Sequence, residues 1–239
     1  MNILLNGAQG KMGQAVLEAS SQEDTVVIER NGAAIFSISQ GAVDVGIDFS
    51  TPDGTIELLE LALQYHIPLV IGTTGLNAKQ QSRMCKAAEQ IKILYSRNFS
   101  LGVHVFRKLI RMAAQCLPSS FQIEIVERHH KHKRDAPSGT AKSCLEDIQA
   151  VRADSDVVFG RHGQATGDRN DNEIGVHSLR GGEVFGEHSV LWIGDHEELI
   201  LEHRAFDRLA FAQGALTAAR WLVANPAIHG FFSFQDIVA

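Results

Sequence analysis

The chain has 239 residues, 44% hydrophobic and 21% charged, with a formal net charge of -6. That composition suits one large or two small domains with an apolar core, and it argues against a general nucleic-acid binder while leaving room for a local basic patch. No apolar run approaches the roughly 18–20 residues of a membrane span, and the first seven residues lack the basic start and long apolar core of a signal peptide.

The first hundred residues alternate strand and helix. Residues 3–5 form a short apolar run closed by Gly7, and a helix is expected over 11–19. Residues 25–28 and 43–49 read as strands. Thr51 then caps a helix with Pro52 in its first position, where no N–H is needed; that helix runs to about residue 65. A buried strand follows at 67–71, then a helix capped by Asn77 to about residue 91, then a strand at 93–96. Strands separated by helices imply βαβ units and a parallel sheet. After Ser100 the pattern changes. A long helix over 101–117 precedes a strand at 122–128, a basic loop, and a helix over 138–151. Residues 152–172 are polar and glycine-bearing, with room for one short strand. Strands at 174–178, 188–193 and 198–203 suggest an antiparallel or mixed sheet, and 210–223 forms a last amphipathic helix. A nucleotide-binding domain followed by an α+β domain is expected, with the last helix folding back on the first domain.

Three widely spaced cysteines, Cys85, Cys116 and Cys144, show no CxxC. They read as buried reduced thiols of a cytoplasmic protein, with neither a disulfide framework nor a thiolate metal site.

Gly7-Ala8-Gln9-Gly10-Lys11-Met12-Gly13 lies between the first strand and the first helix. Glycine lets the backbone turn tightly and approach a pyrophosphate, which the helix N-terminus then holds. The spacing is GxxGxxG rather than the commoner GxGxxG, so its strand-before, helix-after context carries the dinucleotide reading. Glu29, at the end of the second strand, suits a ribose hydroxyl, and Arg30 suits a 2′-phosphate. Both NADH and NADPH are therefore expected to be accepted. The competing reading is that both residues are solvated. Gly72-Thr73-Thr74-Gly75 and Arg97-Asn98-Phe99-Ser100 also follow strands, where an open α/β sheet binds ligands; ordinary capping by Thr74 and Ser100 is the alternative.

The segment Glu127-Arg128-His129-His130-Lys131-His132-Lys133-Arg134-Asp135-Ala136-Pro137-Ser138-Gly139-Thr140 carries three histidines, two lysines and two arginines. As a metal site it suffers from the cations beside the histidines. As a nucleic-acid patch it lacks interleaved aromatics. A small polyanionic substrate with proton transfer suits it better: histidine works as acid or base near neutrality, cationic neighbours would lower a lysine pKa, and Ser138-Gly139-Thr140 opens a helix able to receive a carboxylate. A merely solvated loop remains the plain alternative.

These segments, in order and over nearly the whole chain, resemble the 4-hydroxy-tetrahydrodipicolinate reductase (dihydrodipicolinate reductase) family. Arg180-Gly181-Gly182, Gly186-Glu187-His188 and Phe211-Ala212-Gln213-Gly214-Ala215 extend the likeness. The resemblance implies an α/β fold: a Rossmann-type doubly wound parallel sheet (1–100 and 209–239) plus an α+β substrate and tetramerisation domain with a mixed sheet (101–208). It implies a homotetramer that reduces a small dicarboxylate with NADH or NADPH, binding neither nucleic acid nor membrane. Carried over by motif, His129 donates or accepts a proton and Lys133 donates one. His130, Gly139 and Thr140 bind substrate carboxylates. Gly7, Ala8, Gln9, Gly10, Lys11, Met12, Glu29, Arg30, Gly72, Thr73, Thr74, Arg97, Asn98, Phe99 and Ser100 line the cofactor. No metal is implied. Departures are a shortened stretch before Val43, Arg97 where a small residue is common, and Gln213 for a frequent Asn. The alternatives are a Rossmann reductase of another dicarboxylate or imine, and a non-enzymatic dinucleotide sensor.

Overall fold

The computed structural model describes residues 1–21, 26–30, 41–163, 168–225 and 229–237, with backbone alone at 26 and 28–30. The chain divides into two compact units, Met1–Leu101 with Arg208–Ala239, and Gly102–Asp207. The first stretch runs β1 (Asn2–Asn6), α1 (Lys11–Ser20), β2 (Val26–Arg30), β3 (Val45–Asp48), α2 (Pro52–Tyr65), β4 (Leu69–Ile71), α3 (Ala78–Ala87) and β5 (Lys92–Tyr95). The middle runs α4 (Leu101–Cys116), β6 (Gln122–His129), α5 (Gly139–Gln149), β7 (Asp156–Phe159), β8 (Glu173–Arg180), β9 (Gly186–Ile193) and β10 (Glu198–Ala205). The chain then returns to the first unit with α6 (Leu209–Ala224), β11 (Gly230–Ser233) and a 3-10 turn at Phe234–Ile237.

The first unit holds a six-stranded sheet in the order β11-β5-β4-β3-β1-β2, parallel throughout. Its inner strands are apolar on both sides because helices cover both faces. Leu5, Ile47 and Val70 pack against Ala15 and Val16 of α1 and the alanine-rich side of α6. Leu4, Leu69, Ile71 and Ile93 pack against Leu58 and Leu59 of α2 and Met84 of α3. The strand order reverses at β1, whose neighbours are β2 and β3. Such a reversal opens a crevice at the carboxyl ends of the strands.

Local chemistry sets the helix starts. Thr51 accepts from the N–H of Gly54, with Pro52 in the first position of α2. Asn77 and Gln80 form a capping box on α3. Helix α3 ends at Ala87, short of the expected residue 91, because Glu89 and Gln90 hydrogen-bond back to Lys86 and Ala87 in a turn.

The second unit carries a five-stranded mixed sheet, β10-β9-β6-β8-β7. Strands β10, β9 and β6 are antiparallel neighbours, while β6, β8 and β7 are parallel. Ile123, Ile125, Val176, Val190 and Trp192 meet Phe106 and Ile110 of α4 and Cys144 and Ile148 of α5. The expectation of three buried cysteines is corrected. Cys144 is buried, its thiol pushed up to about 12 by burial and by Asp147, whereas Cys85 and Cys116 are exposed because they lie on the solvent sides of α3 and α4. No helix among the described residues is long and apolar enough to cross a membrane.

Candidate active site

In the first unit, the loop after β1 makes a tight turn in which the N–H of Gly10 donates to the carbonyl of Gly7 at 3.0 Å. Gly7 has φ +89°, and a Cβ there would stand 2.4 Å from the carbonyl oxygen of Phe49. A Cβ on Gly13 would stand 2.2 Å from the oxygen of Gly7. These two glycines therefore let α1 and the β3–α2 connection close on the loop. Gln9, Gly10 and Lys11 are exposed, Met12 is half-buried, and Ala8 turns into the core. Helix α1 has no side-chain cap, unlike α2, α3 and α5, and no acidic residue in its first turn. Uncapped first-turn N–H groups beside Lys11 fit a dinucleotide pyrophosphate.

Beneath the loop lies Asp48, fully buried at the end of β3. Its Oδ1 accepts from Asn6 Nδ2 at 2.8 Å and Ser50 Oγ at 2.5 Å. Its Oδ2 accepts from Thr55 Oγ1 at 2.5 Å and Thr73 Oγ1 at 2.8 Å. One carboxylate thus ties the ends of β1 and β3, the first turn of α2 and the loop after β4.

That hub changes the role of Thr73. Its hydroxyl donates to Asp48 and accepts from the Ser50 N–H, so the side chain serves the protein interior. Gly72 is required by Phe49, whose ring an added Cβ would meet at 2.1 Å. Thr74 is exposed and does not cap α3, a role Asn77 takes. Phe99 is core, edge-on to Phe49 and Phe234, and Ser100 is buried with its N–H on Asn98 Oδ1 at 2.8 Å. Arg97 is exposed and Asn98 half-buried. Of these loop residues, Thr74, Arg97 and Asn98 present side chains to solvent. Glu29 and Arg30 end β2 as expected, but their side chains lie outside the described residues.

In the second unit, strand β6 alternates, so Glu127 and His129 point to the same side as Ile123 and Ile125 while Arg128 points away. Strand register sets Arg180 of β8 beside His129 and His188 of β9 beside Glu127. Glu127 is fully buried. His129 Nδ1 donates to its Oε2 at 2.5 Å, and the Ser138 N–H donates to its Oε1 at 3.1 Å. Arg180 spans both oxygens at 2.9 and 2.8 Å. Burial pushes the Glu127 carboxyl up, but hydrogen bonds from His129, Arg180 and Ser178 outweigh it and hold the group well below the carboxylate range. Arg180 also donates to the carbonyls of Lys133 and Asp135, which fixes the basic loop.

Ser138 caps α5, its Oγ accepting from the Ala141 N–H at 3.2 Å and meeting His188 Nε2 at 2.9 Å. Burial and the neighbouring His129 push His188 down to about 3, so it is neutral near neutrality. His129 and His188 meet edge to face at 5.1 Å. Gly139 and Thr140 form the first turn of α5, Gly139 exposed. His130 is half-buried, and its buried Nδ1 has no partner among the described residues. The expected cationic surrounding of Lys133 is corrected: its Nζ sits 2.9 Å from the Asp135 carboxylate, because the loop folds the acid back onto it. Burial opposes ionisation of Asp135, but the Lys133 ammonium holds its carboxyl below the usual range. Lys131 pairs with Glu183 at 3.5 Å, on the exposed side of the loop.

His129, Lys133, Gly139 and Thr140 thus share one end of the second sheet. Ser138 opens α5 as the sequence implied, while Glu127, Arg180 and His188 join the group without having been assigned a role from sequence. These three lay inside the motifs already singled out, and only strand register brings them together.

Two family models match the chain, "Dihydrodipicolinate reductase, N-terminus" over residues 1–99 and "Dihydrodipicolinate reductase, C-terminus" over residues 102–238. The chain belongs to the dihydrodipicolinate reductase family. A 4-hydroxy-tetrahydrodipicolinate reductase of Psychrobacter arcticus is 38% identical over 266 residues, covering 100% of this chain and 95% of the relative. One from Burkholderia thailandensis is 38% identical over 265 residues, covering 100% and 98%. Among solved structures, the dipicolinate-bound dihydrodipicolinate reductase of Paenisporosarcina sp. TG-14 superposes with a TM-score of 0.75 at 24% identity, covering 99% of each chain. The amine dehydrogenase of Mycobacterium smegmatis superposes with a TM-score of 0.59 at 9% identity, covering 98% and 95%, and shares the fold alone.

Proposed function

We propose that the chain reduces 4-hydroxy-2,3,4,5-tetrahydrodipicolinate to tetrahydrodipicolinate in lysine and diaminopimelate biosynthesis, in the cytoplasm. One reduced nicotinamide and one proton are consumed, and one water is released. The observation that carries this reading is the end-to-end match to the family, with relatives of that name 38% identical over the whole chain.

The first unit (1–100 and 209–239) is the dinucleotide-binding domain, and the second (101–208) binds substrate and mediates assembly. NADH or NADPH supplies the hydride. Gln9, Gly10, Lys11 and Met12, at the uncapped start of α1, hold the pyrophosphate, with Gly7 and Ala8 shaping the turn. Glu29 takes the ribose hydroxyls and Arg30 a 2′-phosphate. Gly72, Thr73, Thr74, Arg97, Asn98, Phe99 and Ser100 form the nicotinamide side, with Thr73, Phe99 and Ser100 contributing backbone. His130, Gly139 and Thr140 receive the substrate carboxylates. Lys133 donates a proton once a dianionic substrate draws it from Asp135, and His129 exchanges a proton through Nε2. The sheet face opposite α4 and α5 bears Leu191, Ile193 and Ile200, which supports self-association as a homotetramer.

Nicotinamide oxidation is to be followed with substrate generated in situ from pyruvate and aspartate semialdehyde. Substrate-dependent oxidation is expected; its absence with a folded, NADPH-binding protein overturns the reading. Lys133→Ala should lower kcat by roughly 10²–10⁴-fold, the usual worth of a positioned proton-transfer group, with NADPH binding intact.

A further inference from the structure

We propose that Glu127 is the positioning residue for proton transfer at His129, and that the same carboxylate sets the adjoining substrate cradle. This rests on the reading of His129 as a proton-transfer group.

An ionised carboxylate can only accept. With Glu127 Oε2 at 2.5 Å from His129 Nδ1, the ring proton of the neutral imidazole sits on Nδ1. Nε2 is then the atom that takes up and releases protons. Its surroundings agree. A Cβ on Gly186 would stand 3.1 Å from His129 Nε2 and 3.8 Å from His188 Cε1, so the absent side chain leaves that side of the ring clear. A buried carboxylate alone would rather be protonated, and the two-pronged contact from Arg180 supplies the charge that keeps it ionised.

The second oxygen does different work. Glu127 Oε1 accepts from the N–H of Ser138, the cap of α5, and Gly139 and Thr140 follow directly. A single rigid side chain therefore fixes the proton-exchanging ring and the helix start that receives the substrate carboxylate. The neutral His188 closes the arrangement from the other side, touching the His129 ring and the Ser138 hydroxyl. A carboxylate that merely held Arg180 in the fold would need no contact with either His129 or Ser138.

The first test uses the unaltered protein. Nitrogen NMR shifts of the neutral His129 ring should show a protonated Nδ1 and a bare Nε2; a protonated Nε2 overturns the proposal. Next, Glu127→Gln, His129→Gln and Gly186→Ala are compared in the oxidation assay. Glu127→Gln should lower kcat about ten- to a hundredfold, the loss typical when an outer partner that orients a histidine is removed. It should also displace the pH profile of kcat and leave the NADPH dissociation constant within about twofold. Glu127→Asp, which keeps the charge, should recover part of kcat. Gly186→Ala, which leaves Glu127 and Arg180 paired, should lower turnover as well, and it serves if Glu127→Gln does not fold. Loss of thermal stability in Glu127→Gln with kcat and pH profile unchanged overturns the proposal. If His129→Gln itself keeps parental turnover, the reading of His129 falls. If His129→Gln loses turnover while Glu127→Gln keeps it, only the role of Glu127 falls.

Discussion

Each unit has a fully buried carboxylate beside its candidate site residues, Asp48 in the first and Glu127 in the second, and the two differ in what donates to them. Asp48 accepts from an amide and three hydroxyls, none of them charged. Glu127 accepts from a guanidinium, an imidazole, a hydroxyl and a backbone N–H. The first arrangement can set geometry alone: it pins the connections that surround the glycine loop. The second sets geometry and protonation together, because one of its donors is an imidazole, which can hold a proton on either ring nitrogen. On the proposed reading, a unit that only binds a dinucleotide needs the former, and a unit that moves protons needs the latter.

That contrast can be broken from either end. Gly7→Ala should have the largest effect on the first unit. Its left-handed backbone and the 2.4 Å approach to Phe49 force a shift of main chain, at a cost of about 2–4 kcal/mol in strain and overpacking. Denaturant titration should show that loss, and NADPH affinity should fall with it; parental values for both would mean the loop is looser than its geometry says. Asp48→Asn comes next. Its amide nitrogen must face two donors, which costs about 1–3 kcal/mol. Binding of NADPH should weaken while the pH profile of kcat stays where it was. A displaced profile would erase the distinction between the two carboxylates.

The smallest effect concerns His188. Its pKa lies at about 3 when folded, against about 6.5 for an unperturbed imidazole. Between those values the unfolded chain binds a proton that the folded chain does not. The stability involved is therefore complete above about pH 6.5 and drains away as pH falls towards 3. His188→Gln should flatten the stability-against-pH curve between pH 6.5 and 4.5. Curves of equal slope would show that His188 is not held neutral.

Much of the fold could be read directly. The buried runs of β1, β3, β4 and β5 separated by amphipathic helices announce a parallel sheet, and Thr51-Pro52 and Asn77 mark two helix starts by their own chemistry. Strand β11 escaped because Gly230–Ser233 is four residues long and becomes a strand only by pairing with β5. In the site, His129 and Lys133 stood out by residue type within one segment. The convergence of Glu127, Arg180 and His188 did not, because it depends on which strands are neighbours. Thr73 and Phe99 show the converse. Their position follows strand ends, but whether a side chain turns outwards is decided by partners far away in sequence, here Asp48 for one and Phe49 and Phe234 for the other.

The first sheet is finished by residues that come last in the chain. Phe234 is almost wholly buried and packs on Phe99, and β11 forms the sheet's edge on β5. During synthesis, residues 102–207 leave the ribosome before β11 and Phe234 do. The second unit can therefore consolidate on the ribosome while the first still lacks an edge strand and part of its core, which leaves β5 without its outer neighbour for the longest interval of any strand in that sheet.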